Sequence, residues 1–214
     1  MAGEGVARRT QAERRGRSEE ALLDAAAVLI AERGVEGASL ARIGGRAGLS
    51  RGLPTHHFGS KDTLVARLAR RAQERIAAGF LDTLADEART LADLTGLELV
   101  YMTVDSYLQL FEDPSDDVRA LIVMWGSTFP ARSSVEGMID AERRSYVGLS
   151  EVIADGQRDG SIRADLEPDA AAVLVLGMMR GVAALLLTDS EITDMRRVRR
   201  TCRDMINQAL EARP

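Results

Sequence analysis

The chain has 214 residues, 45% hydrophobic and 29% charged, with a net charge of −5 and a single cysteine, Cys202. That length supports one large or two small domains, and the lone cysteine excludes an internal disulfide framework and suits a reducing cytosol. No apolar run reads as long enough to cross a bilayer, and the N-terminus lacks the apolar core of a signal peptide, so a cytoplasmic protein is expected. The charge is divided unevenly. Residues 1–71 carry a net +5 and residues 72–214 a net −10. A basic end is drawn to phosphate, and an acidic body discourages non-specific wrapping.

Residues 1–17 hold Arg8, Arg9, Arg14, Arg15 and Arg17 without apolar period. They read as a flexible basic arm, which either follows a nucleic-acid backbone or is a solvated tail. A first helix from Ser18 buries Leu22, Ala26, Leu29 and Ile30 and ends at Gly34. Ser39 is a helix N-cap followed by Leu40, Ile43 and Ala47 at helical spacing, and Gly48 stands where a left-handed residue closes a helix. Ser50 is read as the cap of a second short helix carrying Arg51, Leu53, Thr55, His56 and His57, with Phe58 as apolar anchor. Two helices this short need a third to hold them, and joined by a few residues around a glycine they match a helix-turn-helix.

The ordered residues Gly34, Ser39, Ile43, Ala47-Gly48-Leu49-Ser50 and His57-Phe58-Gly59-Ser60-Lys61-Asp62-Thr63-Leu64 resemble the tetracycline-repressor (TetR) family over about residues 18–65. The resemblance implies an all-α protein with a basic arm (1–17), a three-helix helix-turn-helix DNA-binding domain (18–63), and a helical-bundle effector-binding and dimerisation domain (64–214). It implies a dimeric, ligand-responsive transcriptional regulator, as a family expectation a repressor, acting on a palindromic double-stranded DNA operator. On that reading Arg51, Leu53 and Thr55 meet base edges, while Ser39, Arg42, Arg46, Ser50, His56 and Lys61 belong to the phosphate-anchoring and capping surface. Two departures stand out. The family usually has Ala after the Ile, where this chain has Gly44-Gly45, and Leu53-Pro54-Thr55 replaces a threonine-leucine-tyrosine run. Pro54, placed about four residues into a helix from Ser50, makes that helix start late or bend.

From Lys61 an amphipathic helix runs to about Leu84 with Leu64, Leu68, Ile76 and Phe80 inward. Ala88–Thr95 reads as a loop or broken helix, and Leu97–Phe111, apolar nearly all round, as a central helix. Helices follow at Asp116–Ser127, Ser133–Arg158 and Asp169–Leu187, with breaks at Pro130 and Asp159-Gly160. The Asp169–Leu187 segment is apolar but reads as too short, too flanked by charge and too interrupted by Arg180 to span a bilayer. A last helix spans about Thr193–Ala212. The final two helices, through Leu174, Gly177, Met178, Gly181, Met195, Val198, Cys202, Met205 and Ile206, either form a four-helix homodimer interface or complete the monomer core.

No catalytic constellation, metal-ligand cluster or cofactor motif appears. Both histidines lie in the helix-turn-helix, so an enzyme is not expected. Tyr101, Met102, Asp105, Tyr107, Met124, Trp125 and Phe129 are the candidate walls of an effector pocket, or ordinary core. Asp105 in so apolar a helix needs a partner, either Arg132, Arg180 or a cationic ligand group. The alternative to a DNA regulator is a helical ligand-binding or scaffold protein whose helix-turn-helix meets protein.

Overall fold

The computed structural model describes residues 11–86, 90–127, 136–188 and 194–212, among which the chain forms nine α-helices and a 3-10 turn at Leu91–Asp93. In chain order they are α1 (Gln11–Gly37), α2 (Leu40–Arg46), α3 (Leu53–Phe58), α4 (Lys61–Asp86), α5 (Gly96–Gln109), α6 (Asp116–Ser127), α7 (Glu136–Asp159), α8 (Pro168–Thr188) and α9 (Met195–Leu210). Caps set several of the starts. Ser39 and Asp194 accept from backbone amides of α2 and α9, and Thr95 with Glu98 forms a reciprocal capping box at α5.

The N-terminus departs from the expected arm. Residues 11–17 continue α1 outward, because Gln, Ala, Glu and Arg are good helix formers and need no packing there. Ser18 therefore lies inside the helix, its hydroxyl donating to the Arg14 carbonyl at 3.0 Å. Residues 1–10 lie outside the described residues. Gly34 does interrupt α1, with φ 72° and ψ 170°, and one further turn buries Val35. Regular helix cannot pass through a positive φ, so this turn redirects the chain toward α2.

Two cores result. The first gathers Leu22, Ala26 and Ile30 of α1 with Ile43, Phe58, and Leu64 and Leu68 of α4. It also takes Leu121 and Met124 from α6, so the body reaches into the N-terminal unit. The second gathers Val100 and Leu108 of α5, Ile153 of α7, Ile162, Ala172 and Met179 of α8, and Cys202 and Ile206 of α9. Helices α5 and α7 meet at a pair of glycines. A Cβ on Gly96 would stand 2.3 Å from the Gly156 Cα, so only glycine fits that crossing. The same corner is tied by Asp159, which accepts from the Gly96 and Ser161 amides at 2.8 Å each.

Helix α8 is longer than the sequence reading allowed. Its 21 residues, with a hydropathy of 2.2 over the most apolar window, are long and apolar enough by length and composition to cross a bilayer. Starting at Pro168 and running to Thr188 adds residues at both ends of the Asp169–Leu187 segment. Its inner face is used within the bundle, where Ala172, Val175, Met179 and Ala183 are buried, and Arg180 pairs with Glu142 of α7.

Candidate nucleic-acid interface and effector cavity

The helix-turn-helix is built from α2 and α3 held against α1 and α4. Ser39 Oγ accepts from the Arg42 amide, Ala47 closes α2, and Gly48 takes φ 68° to reverse the chain. The second helix begins later than the Ser50 cap predicts. Residues 51 and 52 form a turn, Gly52 is the cap residue without a side-chain bond, and α3 covers only Leu53–Phe58. The reason is Pro54, which lacks an N–H and is tolerated only in the first turn, so the helix places it there.

Pro54 is buried, and its nearest neighbour explains the other departure from the family pattern. A Cβ on Gly44 would stand 2.8 Å from the Ser50 carbonyl oxygen and 3.2 Å from the Pro54 ring. The missing methyl at position 44 is thus the space that Ser50 and Pro54 occupy. Gly45 has nothing within 4 Å and faces solvent. One of the two glycines is demanded by packing and the other is not.

Ser39, Arg42, Arg46, Ser50, Arg51, Thr55 and His56 are exposed, and Lys61 is partly so. Arg42 donates to the Gly37 carbonyl at 2.9 Å, Arg46 lies 3.6 Å from Glu32, and Lys61 lies 3.6 Å from Glu36. These exposed pairs are held weakly and can exchange for phosphate. Arg51 and His56 point outward without a described ion-pair partner. Leu53 is different: it is half-buried against the first core, so it is poorly placed for the base-edge contact assigned to it. His56 is exposed and His57 half-buried, with rings 6.0 Å apart in a T arrangement.

A buried ion cluster joins this unit to the body. Arg71 of α4 donates to Asp117 of α6 at 2.6 Å and to Glu20 and Asp24 of α1 at 3.0 and 2.8 Å, while Arg75 donates to Asp117 at 2.5 Å. Asp117 is 3% exposed, so both its charge and its hydrogen bonds depend on the two arginines. Burial works against the Arg71 charge, but its acidic partners outweigh that and hold its pKa above the ordinary value. The cluster binds α1, α4 and α6 to one another.

A cavity of about 420 Å³ lies among α4, α5, α6, α7 and α8. Ile76 and Phe80 of α4, Tyr107 of α5, Leu121 and Trp125 of α6, Leu149 of α7 and Met179 of α8 supply much of its wall. Its polar groups are few. The Tyr107 hydroxyl is buried with no protein hydrogen-bond partner, and burial pushes its pKa far above the usual range. Arg180 pairs with Glu142 and lies 4.7 Å from the Trp125 ring centre, a cation–π contact. Burial raises the Glu142 carboxyl, with Arg180 opposing, and its second oxygen makes no hydrogen bond to protein.

Of the seven wall residues expected from the sequence, the cavity gathers two, Tyr107 and Trp125. Tyr101, Met102 and Asp105 lie instead on a separate groove between α5 and α9, because α5 turns one face to each side. Met124 is buried in the first core, and Phe129 lies outside the described residues. Asp105 does have an arginine partner among the described residues, Arg199 of α9, at 2.7 and 2.5 Å; Arg180 pairs with Glu142 instead, and Arg132 lies outside the described residues. The reading also missed Arg144 and Gly148 of α7; its inward stripe on α4 already contained Ile76 and Phe80.

The face of α8 turned from the bundle carries Val173, Leu174, Gly177, Gly181 and Leu185, all exposed. On α9, Met205 is exposed, Met195 and Val198 are half-buried, and Met178 of α8 is intermediate. Cys202 and Ile206 are 5% and 3% exposed because they pack within the protomer's own second core, which takes them out of any surface between copies.

Residues 22–68 match the family of bacterial regulatory proteins described as tetR family. The transcriptional repressor KstR2 of Rhodococcus jostii is 28% identical over 151 residues, 70% of each chain. A TetR-family regulator from a Rhodococcus species superposes with a TM-score of 0.75 at 17% identity, covering 92% of this chain and all of that one. AibR, solved in complex with isovaleryl coenzyme A and operator DNA, superposes with a TM-score of 0.65 at 20% identity, covering 90% and 97%. With a helix-turn-helix at the N-terminus and an all-helical body behind it, the chain matches the tetR family of bacterial regulatory proteins over residues 22–68, and the curated relatives it resembles are transcriptional regulators.

Proposed function

We propose that the protein is a homodimeric repressor that leaves a near-palindromic operator when a small molecule enters the α4–α8 cavity. The observation that carries this is the layout of α4. It starts two residues after the reading helix, its middle holds the Arg71 cluster, and Ile76 and Phe80 line the cavity. Helix α6 repeats the pattern, with Asp117 in the cluster and Leu121 and Trp125 on the cavity. A ligand that favours one placement of these two helices shifts the reading heads by its differential affinity for the two placements.

In this reading Arg51 and Thr55 read base edges, and Ser39, Arg42, Arg46, His56 and Lys61 take phosphates. The division into residues 18–63 and 64–214 is functional rather than a gap in packing, since α6 belongs to both cores. The exposed apolar face of α8, with Gly177 and Gly181 allowing close approach, meets its copy across a two-fold axis, flanked by Met178, Met195, Val198 and Met205. The repressor name of KstR2 and the AibR complex support the same assignment. The effector is mainly apolar, with an acceptor group for the Tyr107 hydroxyl, and no cofactor or metal is required. The protein works in the cytoplasm, where the operator is.

The test is fluorescence anisotropy with DNA flanking the protein's own gene, titrated against salt and random-sequence competitor. Specific binding should survive competitor and fall linearly in log salt. Arg51→Ala should cost about 1–3 kcal/mol of specific binding with the dimer intact. Undiminished operator affinity in that variant would refute the assignment of the reading helix.

A further inference from the structure

The flank of α9 that faces α5 carries four arginines, of which one is ion-paired with described residues. Arg196, Arg199, Arg200 and Arg203 recur at i, i+3, i+4 and i+7, which sets them along one side of the helix over about 10 Å of its axis. They wall a groove of about 430 Å³ whose far side is α5, with Glu98, Tyr101, Met102 and Asp105. Arg199 is spent internally, since it grips both Asp105 oxygens and reaches Glu112 at 2.8 Å. Arg196, Arg200 and Arg203 have no ion pair with any described residue. Of the two carboxylates that line the groove, Asp105 is held by Arg199 and Glu98 is left to oppose these three cations, while Glu211 and Asp204 are near enough to act on Tyr101.

The groove is also furnished for an organic group. Arg203 lies 5.4 Å from the Tyr101 ring centre, and the Tyr101 hydroxyl is buried without a protein hydrogen-bond partner. Met102 and Ile206 add apolar wall beside it. We propose that this groove is a second ligand site, distinct from the α4–α8 cavity, which takes a small molecule carrying two or more phosphates. Guanidinium matches phosphate geometry bidentately, and three cations spaced a turn apart need more than one anionic group to satisfy them. A single carboxylate meets one arginine and leaves two.

The site remains open in a dimer built on α8. At about 100° per residue, Arg203 and Arg200 lie on one side of the buried Cys202 and Thr201 and Met205 on the other. Its concave, two-helix shape suits a small molecule, and neither α5 nor α9 belongs to the core that carries the reading helix. The proposal stands whether or not the α4–α8 cavity binds an effector.

The test is isothermal titration of the full-length protein with inorganic pyrophosphate, and separately with adenosine diphosphate, at low and high salt. Both should bind saturably, with adenosine diphosphate the tighter because Tyr101 and Met102 offer surface to the base, and both more weakly at high salt. Arg200→Glu/Arg203→Glu should weaken each by about tenfold or more while leaving thermal unfolding and operator binding unchanged. Should the double variant fail to fold, Arg200→Ala, at an exposed position, is expected to weaken both ligands in the same direction. Absence of saturable binding up to millimolar ligand would overturn the proposal, as would equal affinity in wild type and variants. Binding confined to duplex DNA or to acidic peptide would overturn it too.

Discussion

Gly44 and Gly45 stand side by side in α2, and replacing each by alanine separates packing from propensity. By propensity alone each replacement stabilises the helix by about 1 kcal/mol. At Gly45 nothing lies within 4 Å of the new methyl, so Gly45→Ala should deliver that gain. At Gly44 the methyl would stand 2.8 Å from the Ser50 carbonyl oxygen, which already accepts the Leu53 amide at 3.0 Å as α3 begins. The Pro54 ring at 3.2 Å is rigid and buried, so neither neighbour can swing aside. Forced overpacking of this kind costs about 1–3 kcal/mol, and the propensity gain is common to both variants, so it cancels in the comparison. Gly44→Ala should therefore be less stable than Gly45→Ala by about 1–3 kcal/mol. Urea denaturation followed by far-ultraviolet circular dichroism measures that difference, and operator anisotropy should show weaker binding for Gly44→Ala only. Equal stability and equal affinity of the two variants would refute the claim that Gly44 makes room for the turn.

Asp117→Ala should cost about 3 kcal/mol, because it strands the buried Arg71 among fewer partners and removes two short charged hydrogen bonds; chemical denaturation checks it. Tyr107→Phe should raise stability by about 1 kcal/mol, since a buried donor without a protein partner is removed, and should weaken effector-driven release of DNA in the anisotropy assay. Burial favours the protonated Asp159 carboxyl, but bonds from the Ser161 hydroxyl and the Gly96 and Ser161 amides outweigh it and hold its pKa below the ordinary 3.8. Its stabilising effect is thus complete above that value and lost as pH falls through the lower folded value. Asp159→Asn should flatten the stability profile below about pH 4 without reshaping it near neutrality.

The periodicity of apolar residues, the Ser39 cap, Gly34, Gly48 and the His57-to-Leu64 run were enough to place the reading unit, since these signals act within a few residues of one another. The charge division between the two halves was equally local. The late start of α3 was half legible: Pro54 announced a conflict, but only the neighbouring Gly44 shows how it is relieved. What no local signal carried was the partnership of residues far apart in the chain. Asp105 required a cation, yet whether Arg180 or Arg199 reached it depended on how α9 lies on α5. An apolar stripe does not state which neighbour it will meet, so Cys202 and Ile206 resembled an interface until α5 covered them. Likewise α5 is apolar on more than one face, and tertiary packing alone assigned Tyr107 to the cavity and Tyr101 to the arginine groove.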